Sequence, residues 1–319
     1  MVITVINNKG GTGKTTTTVS LAGAFAKLGY HSLVIDLDPQ ASASISLGAT
    51  SATLSPSISN VFFDEMSIKS AIRSSATPGV DLLTADEELY NTDVVFADAS
   101  GREHLLRTAI DLVEDNYDFI ICDCPPSFSM ISINALVAAD AYIVPVTPDY
   151  LALEDLNCIM GMVDQLKENV TIDAELLGIL VTKTPHIHSI INPRARVAKN
   201  NIGQLRKCYS DDVFSVEIDT DVKLAEAPAY GTTVFSTAPS SRGAKQYMAA
   251  ATELVKRCGV LKLQAESKRI ARMRSQGNQN IVGHQPFSEW FGASGNNTAS
   301  NRNHDLPQFT QHEWRPSDE

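Results

Sequence analysis

The sequence lacks any apolar run that approaches the ~20 residues needed to span a lipid bilayer. Its first residues, MVITVINNKGG, also lack the succession of basic segment, apolar segment and cleavage site that makes a secretory signal. We therefore expect neither a membrane-spanning segment nor export, and we place the protein in the cytoplasm.

Cysteine is scarce, with five residues in a chain of 319. An odd number of cysteines in a chain of this length argues against a disulfide framework and favours a reducing cytoplasm. Cys122 and Cys124 are separated by one residue inside an apolar run. A metal site would need two further ligands that the sequence does not place, so we interpret both as buried structural thiols.

Positive charge is in deficit, because 26 Lys and Arg residues face 37 Asp and Glu residues, for a formal net charge of −11. This balance argues against attraction of the whole chain to nucleic acid. Any DNA binding would have to come from a local basic face on an acidic body.

Short apolar runs rich in β-branched residues alternate with longer segments of helical periodicity. Most runs are nearly continuous, as expected of parallel strands that are covered on both faces. The predicted strands are 2–7, 31–38, 80–85, 117–123, 141–147 and 175–182. The predicted helices are 14–29, 103–115, 151–168, 191–208 and 242–258. This alternation predicts an α/β fold with a doubly wound, mostly parallel sheet flanked by helices.

The composition changes near residue 262, so we divide the chain into a domain at 1–261 and a remainder at 262–319. The remainder begins with KLQAESKRIARMR, a candidate basic helix, and continues with many Asn, Gln, Ser and Gly residues. Such a segment buries too little apolar surface to offset chain entropy, and we predict a disordered tail. Trp290 and Phe291 within it are either a docking spot or a chance aromatic pair.

The segment GGTGKT, residues 10–15, follows a predicted strand and opens a predicted helix, which is the context of a phosphate-binding loop. Glycines let backbone N–H groups turn towards an anion, and the helix N-terminus adds partial positive charge. Lys14 should reach the β- and γ-phosphates of a nucleotide, and the Thr15 hydroxyl should bind Mg²⁺. The alternative is a glycine-rich turn that binds nothing. The predicted nucleotide-binding residues are Lys9, Gly10, Gly11, Thr12, Gly13, Lys14, Thr15 and Thr16.

Lys9 extends the loop to KGGTGKTT, which resembles the deviant Walker A box of the ParA/MinD group of P-loop ATPases. The resemblance implies that Lys9 crosses a dimer interface and contacts the phosphates of the partner's ATP. Two triphosphates that face each other repel, and a cation from each subunit would reverse the sign of that interaction. The alternative is that Lys9 only adds positive potential to its own loop.

Two further segments resemble the switch regions of the same group. VIDLDPQ places Asp36 and Asp38 at the carboxyl end of a predicted strand, where ligands bind in open α/β sheets. The resemblance implies that Asp38 orients or activates the attacking water. FIICDCPPS implies that Asp123 is the carboxylate on the Mg²⁺ side. The predicted catalytic residues are Lys9, Lys14, Asp38 and Asp123, and the predicted metal-site residues are Thr15, Asp38 and Asp123.

The resemblance to ParA/Soj partition ATPases extends over about residues 2–258, including LAEAP at 224–228. It implies a slow, Mg²⁺-dependent ATPase that forms an ATP-sandwich homodimer and binds nucleoid DNA without sequence preference. It also implies a ParB-like or McdB-like adaptor that stimulates hydrolysis, and a cargo that is a plasmid, a chromosome or a carboxysome. No membrane partner is expected.

The segment RARVAKNNIGQLRK, 194–207, carries five basic residues and no acidic one. At ~100° per residue, four of the basic residues fall within about a third of the helix circumference. On the pattern alone this is a solvated face, but relatives in the family place DNA-contacting residues here and at the position of Lys223. The expected apolar side consists of Val197, Ala198, Ile202 and Leu205. The predicted DNA-binding residues are Arg194, Arg196, Lys199, Arg206, Lys207 and Lys223, with 262–274 as a second candidate.

Four other classes of protein share this loop. A MinD-like membrane-cycling ATPase needs a C-terminal amphipathic helix, for which 261–274 offers only three apolar residues on one side. A nitrogenase-iron-protein-like reductase needs cluster-ligating cysteines, and Cys122 and Cys124 flank Asp123. A bacterial tyrosine kinase would need a tyrosine-rich C-terminal segment, which this sequence lacks. A metabolic ligase would bind a small substrate and turn ATP over quickly.

Overall fold

A seven-stranded sheet forms the centre of the fold in the computed structural model, which describes residues 1–97, 99–149, 152–170, 172–185 and 193–275. The strands are β1 Val2–Val5, β2 Ser32–Asp36, β3 Arg73–Ser74, β4 Val80–Leu83, β5 Phe119–Asp123, β6 Ala141–Val146 and β7 Glu175–Val181. Their order is β3-β4-β2-β5-β1-β6-β7, and every pair is parallel except β3 with β4. The predicted doubly wound, mostly parallel sheet is confirmed.

The predicted strands are confirmed, and their continuous apolar character follows from burial on both faces. Every residue of β1, β2, β5 and β6 is buried. Because β5 lies between β2 and β1, the carboxyl ends of these three strands lie side by side. Asp123 at the end of β5 is in register with Val5 of β1 and Asp36 of β2. The register therefore gathers the loop after β1 and two acidic strand ends at one edge of the sheet.

Helices cover the sheet. Those of the described residues are α1 Lys14–Lys27, α2 Ser42–Ser46, α3 Ile58–Phe63, α4 Ile68–Ala71, α5 Thr92–Val95, α6 Leu105–Ile110, α7 Met130–Ala138, α8 Ala152–Asn169, α9 Pro193–Tyr209, α10 Val222–Glu226, α11 Val234–Thr237 and α12 Arg242–Ser275. On α1, Phe25 stacks on Phe119 of β5 with ring centroids 4.1 Å apart. The Thr17 hydroxyl lies 3.1 Å from the hydroxyl of Tyr247 on α12. These contacts fasten α1, which follows the glycine-rich loop, between the sheet and α12.

Several elements differ from the sequence prediction, which also missed the short helices α2 to α5, α10 and α11. The two-residue β3 is antiparallel and too short to leave a pattern. Helix α7 was missed because all nine of its residues are buried, so its apolar residues show no periodic face. The predicted helix 103–115 is divided into the 3₁₀ turn Arg102–His104, α6 and the 3₁₀ turn Glu114–Asn116. The predicted helix 242–258 is confirmed and continues, as α12, to Ser275.

The predicted polar tail, with Trp290 and Phe291, lies outside the described residues, as do the side chains of 262–275. The division at 1–261 and 262–319 therefore stays a prediction. None of the helices in the described part of the chain is both long and apolar enough to cross a membrane.

Candidate functional site

The phosphate loop, residues 9–16, connects β1 to α1. Gly11 and Gly13 have φ angles of 78° and 88°, in the left-handed region that glycine adopts without steric cost. Gly13 is the N-cap of α1, and no side chain caps this end of the helix. The first N–H groups of α1 are therefore available to an anion, and the helix dipole favours negative charge there.

Lys14 lies within the loop, with only 7% of its surface exposed. Its Nζ donates a hydrogen bond of 3.1 Å to the carbonyl of Lys9, so the side chain folds back over the loop. Burial lowers the pKa of the Lys14 ammonium, and the negative charge of Asp123 partly offsets this effect. The structure thus places a buried cation within the loop, and the predicted contact of Lys14 with phosphate stays a prediction.

Asp123 accepts hydrogen bonds from two hydroxyl groups of α1. Its Oδ2 lies 2.7 Å from the Thr15 Oγ1, and its Oδ1 lies 3.0 Å from the Thr18 Oγ1. The carboxylate is completely buried, and burial raises its pKa, with the charge of Asp36 adding to the shift. A hydroxyl and a carboxylate oxygen at a phosphate loop are the hard oxygen donors that Mg²⁺ prefers. Thr15 and Asp123 thus fit a Mg²⁺ ion, whereas Thr18 was missed by the sequence analysis.

Asp36 and Asp38, although two residues apart, have different environments. Asp36 is completely buried and accepts hydrogen bonds from the Ser44 N–H, the Ser44 hydroxyl and the Asp38 N–H at 2.8, 2.7 and 3.1 Å. Burial raises its pKa to about 6. Asp36 therefore ties the loop after β2 to α2, and its role is structural.

Asp38 is half-exposed, and its Oδ1 accepts a hydrogen bond of 2.9 Å from the Gln40 N–H. It follows β2, whose last residue, Asp36, is in register with Asp123, and the negative charge of Asp38 makes a small contribution that raises the pKa of Asp123. It also lines a cavity of about 300 Å³ together with residues of 89–93 and 125–131. The structure thus gives Asp38 both proximity to the loop and access to solvent.

Lys9 is paired with two carboxylates of its own chain. Its Nζ lies 3.0 Å from Asp149 Oδ2 and 2.9 Å from Asp155 Oδ2, and 32% of the side chain is exposed. The hydrogen bonds to Asp155 and Asp149 raise the pKa of the Lys9 ammonium. The sequence analysis missed both partners. Asp155 lies in the first turn of α8, where an acidic residue is ordinarily explained by the helix dipole.

The end of β7 reaches the phosphate loop, which the sequence analysis did not foresee. Thr182 Oγ1 donates a hydrogen bond of 2.7 Å to the carbonyl of Thr12, and Lys183 Nζ donates one of 2.6 Å to the carbonyl of Gly11. The available signal was the position of both residues at the carboxyl end of a predicted parallel strand, where ligand sites form.

The basic residues predicted to bind DNA differ in their exposure on α9. Arg196, Lys199 and Lys207 are exposed. Arg206 is 34% exposed and pairs with Glu217 at 3.1 Å, so it leans onto the body of the domain. Arg194 lies in the first turn of α9, and its side chain is outside the described atoms. The exposed face therefore carries fewer available cations than the pattern indicated.

The structure also bears on the expected apolar side of α9 and on Lys223. Val197 was expected on the buried side but is 52% exposed, and Ala195 is buried there with Ala198. Lys223, in α10, is exposed and pairs with Glu226 at 2.7 Å. An exposed pair of this kind contributes little to stability, so the Lys223 ammonium can exchange its partner at small cost.

Cys122 and Cys124 are both buried free thiols, as predicted. Burial raises the pKa of Cys122 to about 12, which keeps it protonated and unreactive at neutral pH. Among the described residues, no group of three or more His, Cys, Asp or Glu side chains is arranged to hold a metal ion. A Mg²⁺ ion at Thr15 and Asp123 would therefore take further ligands from phosphate oxygens and water.

Comparison with known sequences finds one matching family model and relatives that are similar over most of the chain. The family model described as an AAA domain matches residues 1–176. The chain is 32% identical over 253 residues to the sporulation initiation inhibitor protein Soj of Bacillus subtilis, covering 79% of this chain and 97% of Soj. It is 31% identical over 256 residues to the chromosome partitioning protein ParA of Myxococcus xanthus, covering 80% of this chain and 88% of that protein.

Three solved structures share the fold. Cobyrinic acid a,c-diamide synthase from Mycobacterium smegmatis, with bound ADP and magnesium, is 27% identical with a TM-score of 0.68, covering 80% of this chain and 94% of that one. MinD from Pyrococcus horikoshii, complexed with Mg-ADP, is 26% identical with a TM-score of 0.62, covering 82% and 98%. Cyanothece McdA, at 20% identity, has a TM-score of 0.71, covers 80% and 98%, and bears on the fold alone.

Proposed function

Because the chain belongs to the AAA-domain family of P-loop ATPases that includes Soj and the ParA chromosome partitioning proteins, we propose that it is a ParA-type positioning ATPase. In this proposal, ATP binding drives homodimerisation, the dimer binds nucleoid DNA non-specifically, and an adaptor stimulates hydrolysis. The observation that carries the proposal is the phosphate loop itself. It presents a buried Lys14 and the Thr15–Asp123 pair, and Lys9 precedes it.

For hydrolysis, the residues of the loop would bind and orient the triphosphate. Lys14 and the first N–H groups of α1 neutralise phosphate charge, while Thr15 and Asp123 would hold Mg²⁺, which supplies further positive charge when bound. Asp38, half-exposed beside Lys14, would orient the attacking water. Positioning and electrostatic stabilisation account for most of the protein's contribution to phosphoryl transfer. We expect a slow basal rate, and a slow rate would let hydrolysis set how long the ATP-bound state lasts.

Dimerisation would depend on Lys9. To contact the triphosphate of a partner subunit, the Lys9 ammonium must give up its ion pairs with Asp149 and Asp155. Both pairs are partly exposed and therefore weak, whereas a triphosphate carries several negative charges. The exchange is thus favourable once ATP is present on both subunits. ATP binding and dimerisation become one coupled event.

DNA binding would use the exposed cations Arg196, Lys199 and Lys207 of α9. Contacts to phosphates supply affinity without sequence preference, and each contact releases counterions. One subunit offers few such contacts on an acidic body. A dimer doubles their number, so ATP would switch DNA binding on.

The partners in this proposal are a second copy of the chain, DNA and a ParB-like or McdB-like adaptor, in a cytoplasmic, nucleoid-associated protein. The cargo would be a plasmid, a chromosome or a carboxysome, and the adaptor would determine which of these is bound.

The test uses light scattering with the full chain and Mg-ATP or Mg-ADP. We expect the mass to double with Mg-ATP and to stay that of a monomer with Mg-ADP. Lys9→Ala should bind ATP but remain a monomer, whereas Lys207→Ala, which removes the same charge from α9, should dimerise normally. Dimerisation of Lys9→Ala at the same ATP concentration as the unchanged chain would contradict the proposed role of Lys9.

A MinD-like membrane-cycling ATPase is the second candidate, favoured by the continuation of the basic C-terminal segment as helix α12 to Ser275. It predicts co-sedimentation of the chain with anionic liposomes in Mg-ATP. The partition proposal predicts retention of DNA and no liposome binding, so the two assays separate the candidates.

A further inference from the structure

Two consecutive residues at the end of β7 donate hydrogen bonds to two consecutive carbonyls of the phosphate loop. Thr182 Oγ1 binds the Thr12 carbonyl at 2.7 Å, and Lys183 Nζ binds the Gly11 carbonyl at 2.6 Å. Thr182 is buried, while Lys183 is exposed. Two consecutive donors on one segment thus pair, in reverse sequence order, with two consecutive carbonyl acceptors on the other, and together they form a specific contact.

The backbone at Lys183 departs from strand geometry in the way this contact requires. Successive side chains of a strand point to opposite faces, so Thr182 and Lys183 could not both reach the loop from a regular strand. Lys183 has a φ of 54°, in the left-handed region that is uncommon for a residue other than glycine. This turn brings the Lys183 side chain back towards the loop.

The strained residue is held by hydrogen bonds on both sides. The Thr182 N–H donates to the Val146 carbonyl at 2.8 Å, and the Thr184 N–H donates to the Ile218 carbonyl at 3.0 Å. The Thr184 hydroxyl also donates to Asp219 Oδ1 at 2.6 Å. Residues in sparsely populated regions of φ persist where the surrounding structure determines them, and they concentrate at functional sites.

Peptide planarity gives these two hydrogen bonds a consequence for anion binding. In a trans peptide the C=O of one residue and the N–H of the next point in opposite directions. By holding the Gly11 carbonyl towards β7, Lys183 turns the Thr12 N–H away from β7. By holding the Thr12 carbonyl, Thr182 turns the Gly13 N–H away likewise. Two successive N–H donors of the loop are thus oriented together, which is the arrangement of an anion-binding nest.

We propose that Thr182 and Lys183 are positioning residues that preorganise the phosphate loop and so strengthen binding of the nucleotide's phosphates. The inference rests on the proposed nucleotide binding and adds to it a second element that holds the loop. Among the described residues, Lys183 has no carboxylate partner. Its ammonium group instead donates to the Gly11 carbonyl of the loop. Its positive charge adds attraction for the same phosphates at longer range.

The test measures the affinity of the full chain for ADP by calorimetry, and for adenosine by competition with a fluorescent ADP analogue. Lys183→Met keeps the length of the side chain but removes the donor. We expect it to weaken ADP binding by about tenfold, because the free loop is then no longer held in the binding orientation and must be ordered when ADP binds. Adenosine has no phosphate, so its affinity should not change. Lys183→Arg retains a charged donor and should bind ADP within about threefold of the unchanged chain. Thr182→Val should weaken ADP binding in the same direction as Lys183→Met.

Lys183→Gly separates positioning from a structural role. Glycine accepts the φ of 54° without strain, so the melting temperature without nucleotide should stay the same or rise. Its affinity for ADP should nevertheless fall as much as that of Lys183→Met. A merely structural residue would move both quantities in the same direction.

Two results would overturn the inference: ADP affinity of Lys183→Met within twofold of the unchanged chain, or an equal loss for adenosine and ADP. If the unchanged chain bound neither ADP nor ATP, the proposed function itself would be wrong. The two failures are therefore distinguishable by the measurement on the unchanged chain.

Discussion

At the phosphate loop Lys14 and Asp123 are buried and hydrogen-bonded to a backbone carbonyl and to hydroxyl groups, whereas on α9 most of the described charged side chains extend into solvent. Lys14 and Asp123 are buried, and each has a defined partner. Arg196 and Lys199 are exposed at the surface of the helix. A buried charge must be paired, because desolvation without a partner costs several kcal/mol or more. An exposed charge needs no partner. The combined effect of exposed charges depends on how many there are and where they lie.

This difference has a consequence for substitutions. At the loop, one change should remove a function and alter the stability of the fold. On the helix, one change should alter affinity by a small step that depends on salt. The predictions below begin with the loop, where the largest effects are expected.

Lys14→Met should abolish nucleotide binding while stabilising the domain. Loss of two or more charge-assisted hydrogen bonds to phosphate weakens ATP affinity by about 100-fold or more. Because burial lowers the pKa of Lys14, the folded state disfavours its charge, and an apolar side chain of similar length should raise the melting temperature. Calorimetry and thermal melts measure both effects. Lys207→Met, on α9, is the matched control and should change neither.

Substitution of Asp36, the last residue of β2, and of Asp38 should affect different properties. Asp38→Ala should lower ATP hydrolysis by about 100-fold or more, since it removes the group that orients water, and should leave an ATP-bound dimer. Asp36→Ala should instead destabilise the fold by about 2–4 kcal/mol, because it leaves the donors of Ser44 and Asp38 without an acceptor. Denaturant unfolding and single-turnover hydrolysis distinguish them. Full hydrolysis by Asp38→Ala would remove Asp38 from the catalytic role.

On α9, exposure should decide which cations matter. Arg196→Ala with Lys199→Ala should reduce the slope of log affinity for DNA against log salt by about 2 per subunit. Arg206→Ala should change the slope by less than the value of about 1 expected of one exposed cation, because Arg206 already pairs with Glu217. Fluorescence anisotropy with an arbitrary duplex at several salt concentrations measures this. A change of about 1 for Arg206→Ala, the full value for one cation, would mean that burial on α9 does not decide DNA contact.

The smallest effect is expected at the two carboxylates that pair with Lys9, because both ion pairs are partly exposed. Asp149→Asn with Asp155→Asn removes the ion pairs that hold Lys9 on its own chain. Exposed pairs contribute about 0–1 kcal/mol each, so the ATP concentration needed for dimerisation should fall by about two- to fivefold. Light scattering across an ATP titration measures the shift. A higher ATP requirement would mean that these aspartates support dimerisation.

Much of the fold could be predicted from local patterns. The apolar runs gave β1, β2 and β4 to β7, because parallel strands covered on both faces must be apolar throughout. Helix α7 was not predicted, because complete burial removes the periodicity on which helix prediction depends. The antiparallel β3 was not predicted, because a strand of two residues is too short to show an alternation of apolar and polar side chains.

The site was predictable where function is carried by a contiguous motif. Glycines at positions 11 and 13 with Lys14 and Thr15 already imply the loop, since its geometry is local. The partners of Lys9 were not predictable, because Asp149 and Asp155 lie about 140 residues or more away in the chain. The contact of Lys183 with Gly11 is likewise a contact between distant segments.

The sequence by itself determined the α/β class, the phosphate loop and the presence of a basic helical segment, because each depends on neighbours along the chain. The tertiary structure alone decided which charges are buried, which are paired and which are free. It made Asp36 a structural residue and left Asp38 accessible, and it turned Arg206 inward and Arg196 outward. The physical reason is that the free energy of a charge depends on its solvation and its partners, which only the folded chain assembles.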